Sequence, residues 1–185
     1  MVTNIVKSLG SDLLYYLDKK NHSLEEIKRI INLYPEIKFV SLVGVDLGGN
    51  DTDEKIPISI FLEDLDKFLE EGIQTDGSSV VLPGIASLNN GKVDIIPDND
   101  VKWFVDYNYD NIDLSTDKPV GTLRIPCFLK HNGEFIDSRS ILKKVVTNFK
   151  NEIIELFSNN NMSKAFNISK DDIVDVILTS ATELE

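Results

Sequence analysis

One cysteine, one tryptophan, two methionines and two histidines are all that 185 residues contain of those types. The lone thiol, Cys127, excludes an internal disulfide and fits a reducing compartment. It lies in an apolar strand pattern, so it reads as core rather than as a nucleophile. His22 and His131 stand far apart with no second ligand at metal spacing, and both read as surface or loop residues. Basic residues are scarce too: 19 Lys and Arg face 31 Asp and Glu, a net charge of −12. Phosphate backbones need a basic face, so no nucleic-acid partner is expected. No run approaches about 18 uninterrupted apolar residues, so no membrane span is expected. Lys7, Asp12 and Asp18 break up the first twenty residues and leave no signal-peptide core. A cytoplasmic protein is the expectation. The Gly84–Gly91-Lys92 stretch is spaced wrongly for a phosphate-binding loop, and Val93 stands where Ser or Thr would be.

What is present is ordinary for a folded soluble chain, with 42% hydrophobic and 27% charged residues. Leu13, Leu14 and Leu17 give a weak helical face; Leu24, Ile27, Ile30, Ile31 and Tyr34 give a clear one, capped by Ser23 with Glu26 and stopped by Pro35. Lys38 to Asp46 reads as a strand, Gly48 to Asp51 as a turn, and Ile56 to Ile60 as the returning strand. Leu62, Leu65, Phe68 and Leu69 then recur at helical spacing, with Gly72 at the C-terminal cap. Short strands and long loops follow to about residue 110. Val120 to Leu129 reads as a strand turning at Asn132-Gly133. Trp103-Phe104 reads as packing. Ser138 opens a helix whose apolar face runs through Ile141, Leu142, Val145, Phe149, Ile153 and Leu156, and Val174 to Thr182 reads as a last strand.

Two constellations carry possible chemistry. Side chains alternate along a strand, so Glu183 and Glu185 share one face about 7 Å apart. Two such carboxylates repel unless solvated or bridged by a cation, and hard oxygens suit Mg²⁺ or Mn²⁺; on spacing alone a polar chain end is the simpler explanation. Thr75-Asp76-Gly77-Ser78-Ser79 places a carboxylate on a compact loop, where it accepts a proton, holds an ammonium ion, or simply makes a turn.

Taken in order, these pieces resemble the amino-terminal region of glutamine synthetases over roughly residues 37 to 185. Asp76-Gly77-Ser78-Ser79-Val80 is similar to that family's D-G-S-S-I loop, with Gly84 following. Val93 to Pro97-Asp98 resembles its apolar run closing on P-D. Asp137-Ser138-Arg139 with Ile141-Leu142-Lys143 resembles D-P-R-x-x-L-K. Thr182-Glu183-Leu184-Glu185 resembles its E-x-E strand. The chain departs from the family at Asn90-Gly91-Lys92-Val93, where an acidic E-S-D-M stretch is usual, at Ser138, and in an insertion around Leu82-Pro83.

The strand-strand-helix-strand-strand order is the β-grasp arrangement of the α+β class, a sheet over 37–136 crossed by one helix and preceded by an N-terminal helical segment (1–36), and it agrees with the resemblance. Residues 137–185 would open a truncated catalytic domain. The resemblance implies an ATP-dependent ligase that joins ammonia to the γ-carboxylate of glutamate through γ-glutamyl phosphate. Asp76, with Ser79 beside it, is implied as the ammonium site, completed across a homo-oligomer boundary. Glu183 and Glu185 are implied as ligands of Mg²⁺ or Mn²⁺ in the full-length parent, which uses ATP, glutamate and ammonium. The 185 residues alone are expected to be inactive and to hold no metal tightly. A non-catalytic β-grasp binding module and a γ-glutamyl ligase for another amine are the alternatives.

Overall fold

A computed structural model describes residues 12–77, 80, 91–158 and 164–167. The chain divides into two compact units, residues 1–137 and 138–185. The first is α+β. It holds an eight-stranded, mostly antiparallel sheet with strands β1 (Tyr16–Leu17), β2 (Ile37–Val45), β3 (Asp51–Pro57), β4 (Ile73–Asp76), β5 (Lys92–Pro97), β6 (Trp103–Asp113), β7 (Lys118–His131) and β8 (Glu134–Phe135). Helices α1 (Leu24–Leu33), α2 (Ile58–Glu63) and α3 (Leu65–Glu71) complete it, with a 3-10 turn at Lys19–Asn21.

Strand β7 is central. It pairs in parallel with β2 and antiparallel with β6, β5 and β8, while β2 carries β3 and β5 carries β4. Leu123, Ile125, Cys127 and Leu129 recur at every second position of β7 and are all fully buried, as one core-facing side of a strand requires. Val40 and Leu42 of β2 and Val93 and Ile95 of β5 extend the same layer. Ile27, Ile30 and Ile31 bring α1 into the core, and Ser23 caps that helix through Oγ to the Glu26 amide. Cys127 is therefore core, and Trp103 is fully buried with its Nε1 donating to the Asp98 carbonyl at 3.0 Å.

Three local expectations are corrected. Leu13, Leu14 and Leu17 form no helix: Tyr16 and Leu17 pair with Phe104 and Trp103 of β6. A short stretch has too few backbone bonds to nucleate a helix, and strand pairing satisfies its polar groups instead. The strand expected over Ile56–Ile60 ends at Pro57, after which Ile58 begins α2. Proline suits a helix start because its nitrogen has no hydrogen to leave unpaired. The single helix over Leu62–Leu69 is two, interrupted at Asp64, whose φ of −111° and ψ of 31° break the α geometry. The Val174–Thr182 strand lies outside the described residues.

The second unit contributes α4 (Ser138–Ser158), on which Ile141, Leu142, Val145, Phe149 and Leu156 are exposed. Among the described residues no helix is long and apolar enough to cross a membrane.

Gly72 ends α3 with φ 69° and ψ −151°, a region essentially closed to other residues, and a Cβ there would collide with the Ile95 carbonyl. Gly49 also has positive φ (83°), yet has nothing within 4 Å of its Cβ position. Gly72→Ala should therefore cost about 3 kcal/mol or more and Gly49→Ala about 1–2 kcal/mol in denaturant unfolding. Equal losses would show that the α3–β5 approach is not tight.

Candidate functional site

Strand β4 pairs antiparallel with β5 so that Thr75 faces Val93 and Asp76 faces Lys92. Alternation puts Thr75 and Asp76 on opposite faces. Thr75 turns to the half-buried side, where its Oγ1 donates to Glu54 Oε1 at 2.6 Å. That bond joins β4 to β3, the two ends of the strand order β3-β2-β7-β5-β4, so the sheet curls until its outer strands approach. A second hydroxyl–carboxylate bond, Ser41 Oγ to Asp53 Oδ1 at 2.5 Å, links β2 to β3.

Asp76 is the last residue of β4 and is exposed. Beyond it the Gly77 amide donates to the Gly91 carbonyl at 2.7 Å and the Val80 amide to the Gly77 carbonyl at 3.2 Å. Gly77 and Gly91 thus extend the β4–β5 pairing by one bond beyond Asp76 and Lys92. Ser79 lies outside the described residues, and so do Glu183 and Glu185.

His131 ends β7 at this same end of the sheet. Its Nδ1 lies 2.8 Å from the Lys92 carbonyl, and Nε2 lies 2.9 Å from Asn132 Nδ2. A carbonyl only accepts, so Nδ1 carries the proton and Nε2 accepts from the amide. Isolated in sequence, His131 is brought by register to the base of the Asp76 loop; the β5–β7 pairing of Asp94 with Lys130 is what places it there. No spacing rule would have found it, because 39 residues separate it from Lys92.

Other carboxylates singled out by motif are structural. Asp98, 5% exposed, accepts from the Asp100 amide at 3.1 Å, and its own amide donates to the Pro126 carbonyl at 2.8 Å. Asp137, fully buried, accepts from the Leu129 amide at 2.9 Å through Oδ2. Each satisfies a main-chain group that burial would otherwise leave unpaired. Among the described residues no three His, Cys, Asp or Glu side chains gather into a metal-binding group.

Chemically, this end of the sheet offers the exposed carboxylate of Asp76 with a lysine directly across the ladder, and two strands away an imidazole paired with the exposed Glu134. A carboxylate so placed attracts a small cation, and the ammonium group of Lys92 competes with that cation. An open groove of about 510 Å³ lies elsewhere, between α3 and strands β4 and β5, lined by Lys67, Phe68, Glu71 and Asp94 among others.

Because Thr75 closes the curl from the half-buried side while Asp76 is exposed at the strand end, their substitutions should separate. Thr75→Val should lower unfolding free energy by about 1.5 kcal/mol, since it leaves a half-buried carboxylate short of a donor. Asp76→Asn should stay within about 0.5 kcal/mol of the parent. Chemical denaturation of the two variants checks this; a larger loss for Asp76→Asn would make that residue structural.

No family model matches the chain, and no curated protein does.

Proposed function

We propose that the chain is the amino-terminal portion of a glutamine synthetase-like, ATP-dependent ligase, with its first unit a β-grasp domain. The topology supports the fold assignment: a β2–β3 hairpin, two short helices, and then β7 laid parallel to β2 at the centre. The order of the D-G-S-S, P-D, D-x-R and E-x-E motifs supports the family assignment. The observation that carries the function is the position of Asp76: exposed, at the end of β4, and directly across the ladder from Lys92.

In this reading Asp76 holds an ammonium ion and accepts one of its protons. The ammonia lone pair then attacks the carbonyl carbon of γ-glutamyl phosphate, the C–O bond to phosphate breaks, the surplus N–H proton passes to the departing phosphate, and glutamine forms. Ser79 assists at the ammonium site, and Glu183 and Glu185 hold Mg²⁺ or Mn²⁺, which would neutralise phosphate charge. The loop serves the active site of a neighbouring copy in a homo-oligomer. ATP, glutamate and the remaining catalytic residues belong to the full-length protein, so the 185 residues by themselves form no glutamine.

Lys92 gives the proposal a distinctive consequence. It stands across from Asp76, in the stretch where this sequence departs from the family's acidic pattern. In the full-length protein, Asp76→Asn should lower kcat for glutamine formation by about 10²–10⁴-fold, because the amide holds no cation and is a poor base. Lys92→Ala should instead lower the KM for ammonia by removing a competing cation. Steady-state rates with ammonia varied test both. Unchanged turnover in Asp76→Asn would remove Asp76 from the reaction and leave its loop as a turn.

A further inference from the structure

Residues 12–22 run along the edge of β6 as a strap held at three places. At one end Lys118 Nζ donates to the Asp12 carbonyl at 3.1 Å and lies 3.4 Å from both Asp12 Oδ2 and Glu36 Oε1. In the middle Tyr107 Oη donates to the Leu14 carbonyl at 3.0 Å, the Val105 amide donates to the Tyr15 carbonyl at 3.0 Å, and Leu17 is buried. At the other end the His22 ring stacks on the Trp103 indole, with centroids 3.8 Å apart and planes inclined by 21°.

The His22 contact differs from the others in being conditional on protonation. Nδ1 lies 3.1 Å from the Asn99 carbonyl, so it carries the proton of the neutral ring. Nε2 is buried and makes no hydrogen bond. A neutral Nε2 is a modest loss there; protonation puts a charge on a ring withdrawn from water, a cost that the Leu17 carbonyl, open to the new donor, offsets only in part. Burial accordingly lowers the His22 pKa, although the Asn99 and Leu17 carbonyls and the carboxylates of Asp18 and Asp98 oppose the shift.

We propose that His22 makes this strap an acid-released latch: protonation of the ring detaches residues 12–22 from β6 while the rest of the sheet stays paired. Detachment uncovers Trp103, removes the acceptor of the Val105 amide and leaves the start of β6 as an open strand edge. The direction follows from the lowered pKa. Stability from the neutral ring is present above the unfolded value of 6.5 and is lost as pH falls below it. The charged groups at the latch are Asp18 on its own turn and Asp98 on the β5–β6 turn. Asp12, Glu36 and Lys118 face the far end of the strap.

Trp103 is the sole tryptophan and reports the latch directly. The experiment compares pH 7.5 with pH 5.5, both above the pI near 4.6, in the parent chain, His22→Gln and His22→Phe. In the parent, acid should shift Trp103 emission to longer wavelength. After correction for intrinsic exchange, it should also speed hydrogen exchange of the Val105 amide about three- to tenfold, with the Leu123 and Ile125 amides unchanged. Both variants should abolish the pH response, His22→Phe while keeping a ring on the indole. Equal Val105 protection at the two pH values overturns the proposal. So does the same response in both variants, which would assign it to the carboxylates, or parallel loss at Leu123 and Ile125, which would be global unfolding.

Discussion

Fourteen residues of β7, Lys118–His131, must satisfy two edges and one face at once. One edge is committed to β2 from Gly121 to Cys127; the other is shared, first by β6 up to Arg124 and then by β5 from Cys127. At the changeover stands Pro126, which has no amide hydrogen to leave unpaired between the two partners. A slip of one residue would turn Leu123, Ile125, Cys127 and Leu129 outward together, so the burial of that row fixes the register of every strand that pairs with it. Through that register the sheet places Lys92 opposite Asp76 and His131 beside the base of the same loop.

Buried charge marks where the fold has committed its carboxylates. Glu36 is fully buried against Lys118, and burial lowers the lysine pKa while Glu36 and Asp12 more than restore it. Removing one member of such a pair leaves the other uncompensated, which costs more than the pair itself contributes. Asp113, bonded to Lys38 and to the Ser115 amide, has its pKa held down at about 2 and ties the β6–β7 turn to β2. Asp98 and Asp137 are committed to main-chain amides. Asp76 differs from these in being exposed at a strand end.

Much of this was legible in the sequence wherever one local signal sufficed. The α1 periodicity with its Ser23 cap, the strand through Val40 and Leu42, and the Asn132-Gly133 turn were all readable. The last has positive φ at both residues, 48° and 89°. The α+β class followed from those elements. Misreadings fell where a distant partner decides the conformation: Tyr16-Leu17 is a strand because β6 is there, and Ile58 is helical because Pro57 ends the edge strand. His131 and Lys92 were passed over for the same reason, since only the β4–β5–β7 ladder assembles them with Asp76. His22, read as a surface or loop residue, sits in a turn but half-buried on Trp103, a contact across 81 positions that no local pattern encodes.

In the proposed reaction the full-length protein activates the γ-carboxylate of glutamate and transfers the acyl group to ammonia captured by Asp76. The most direct measurement supplies glutamate labelled with ¹⁸O in its γ-carboxylate, together with ATP, Mg²⁺ and ammonia, and follows the label. An acyl phosphate intermediate predicts that each phosphate released with glutamine carries one ¹⁸O from the carboxylate, and that release depends on ammonia. Glutamine formation with unlabelled phosphate, or labelled phosphate released at the same rate without ammonia, would contradict the account.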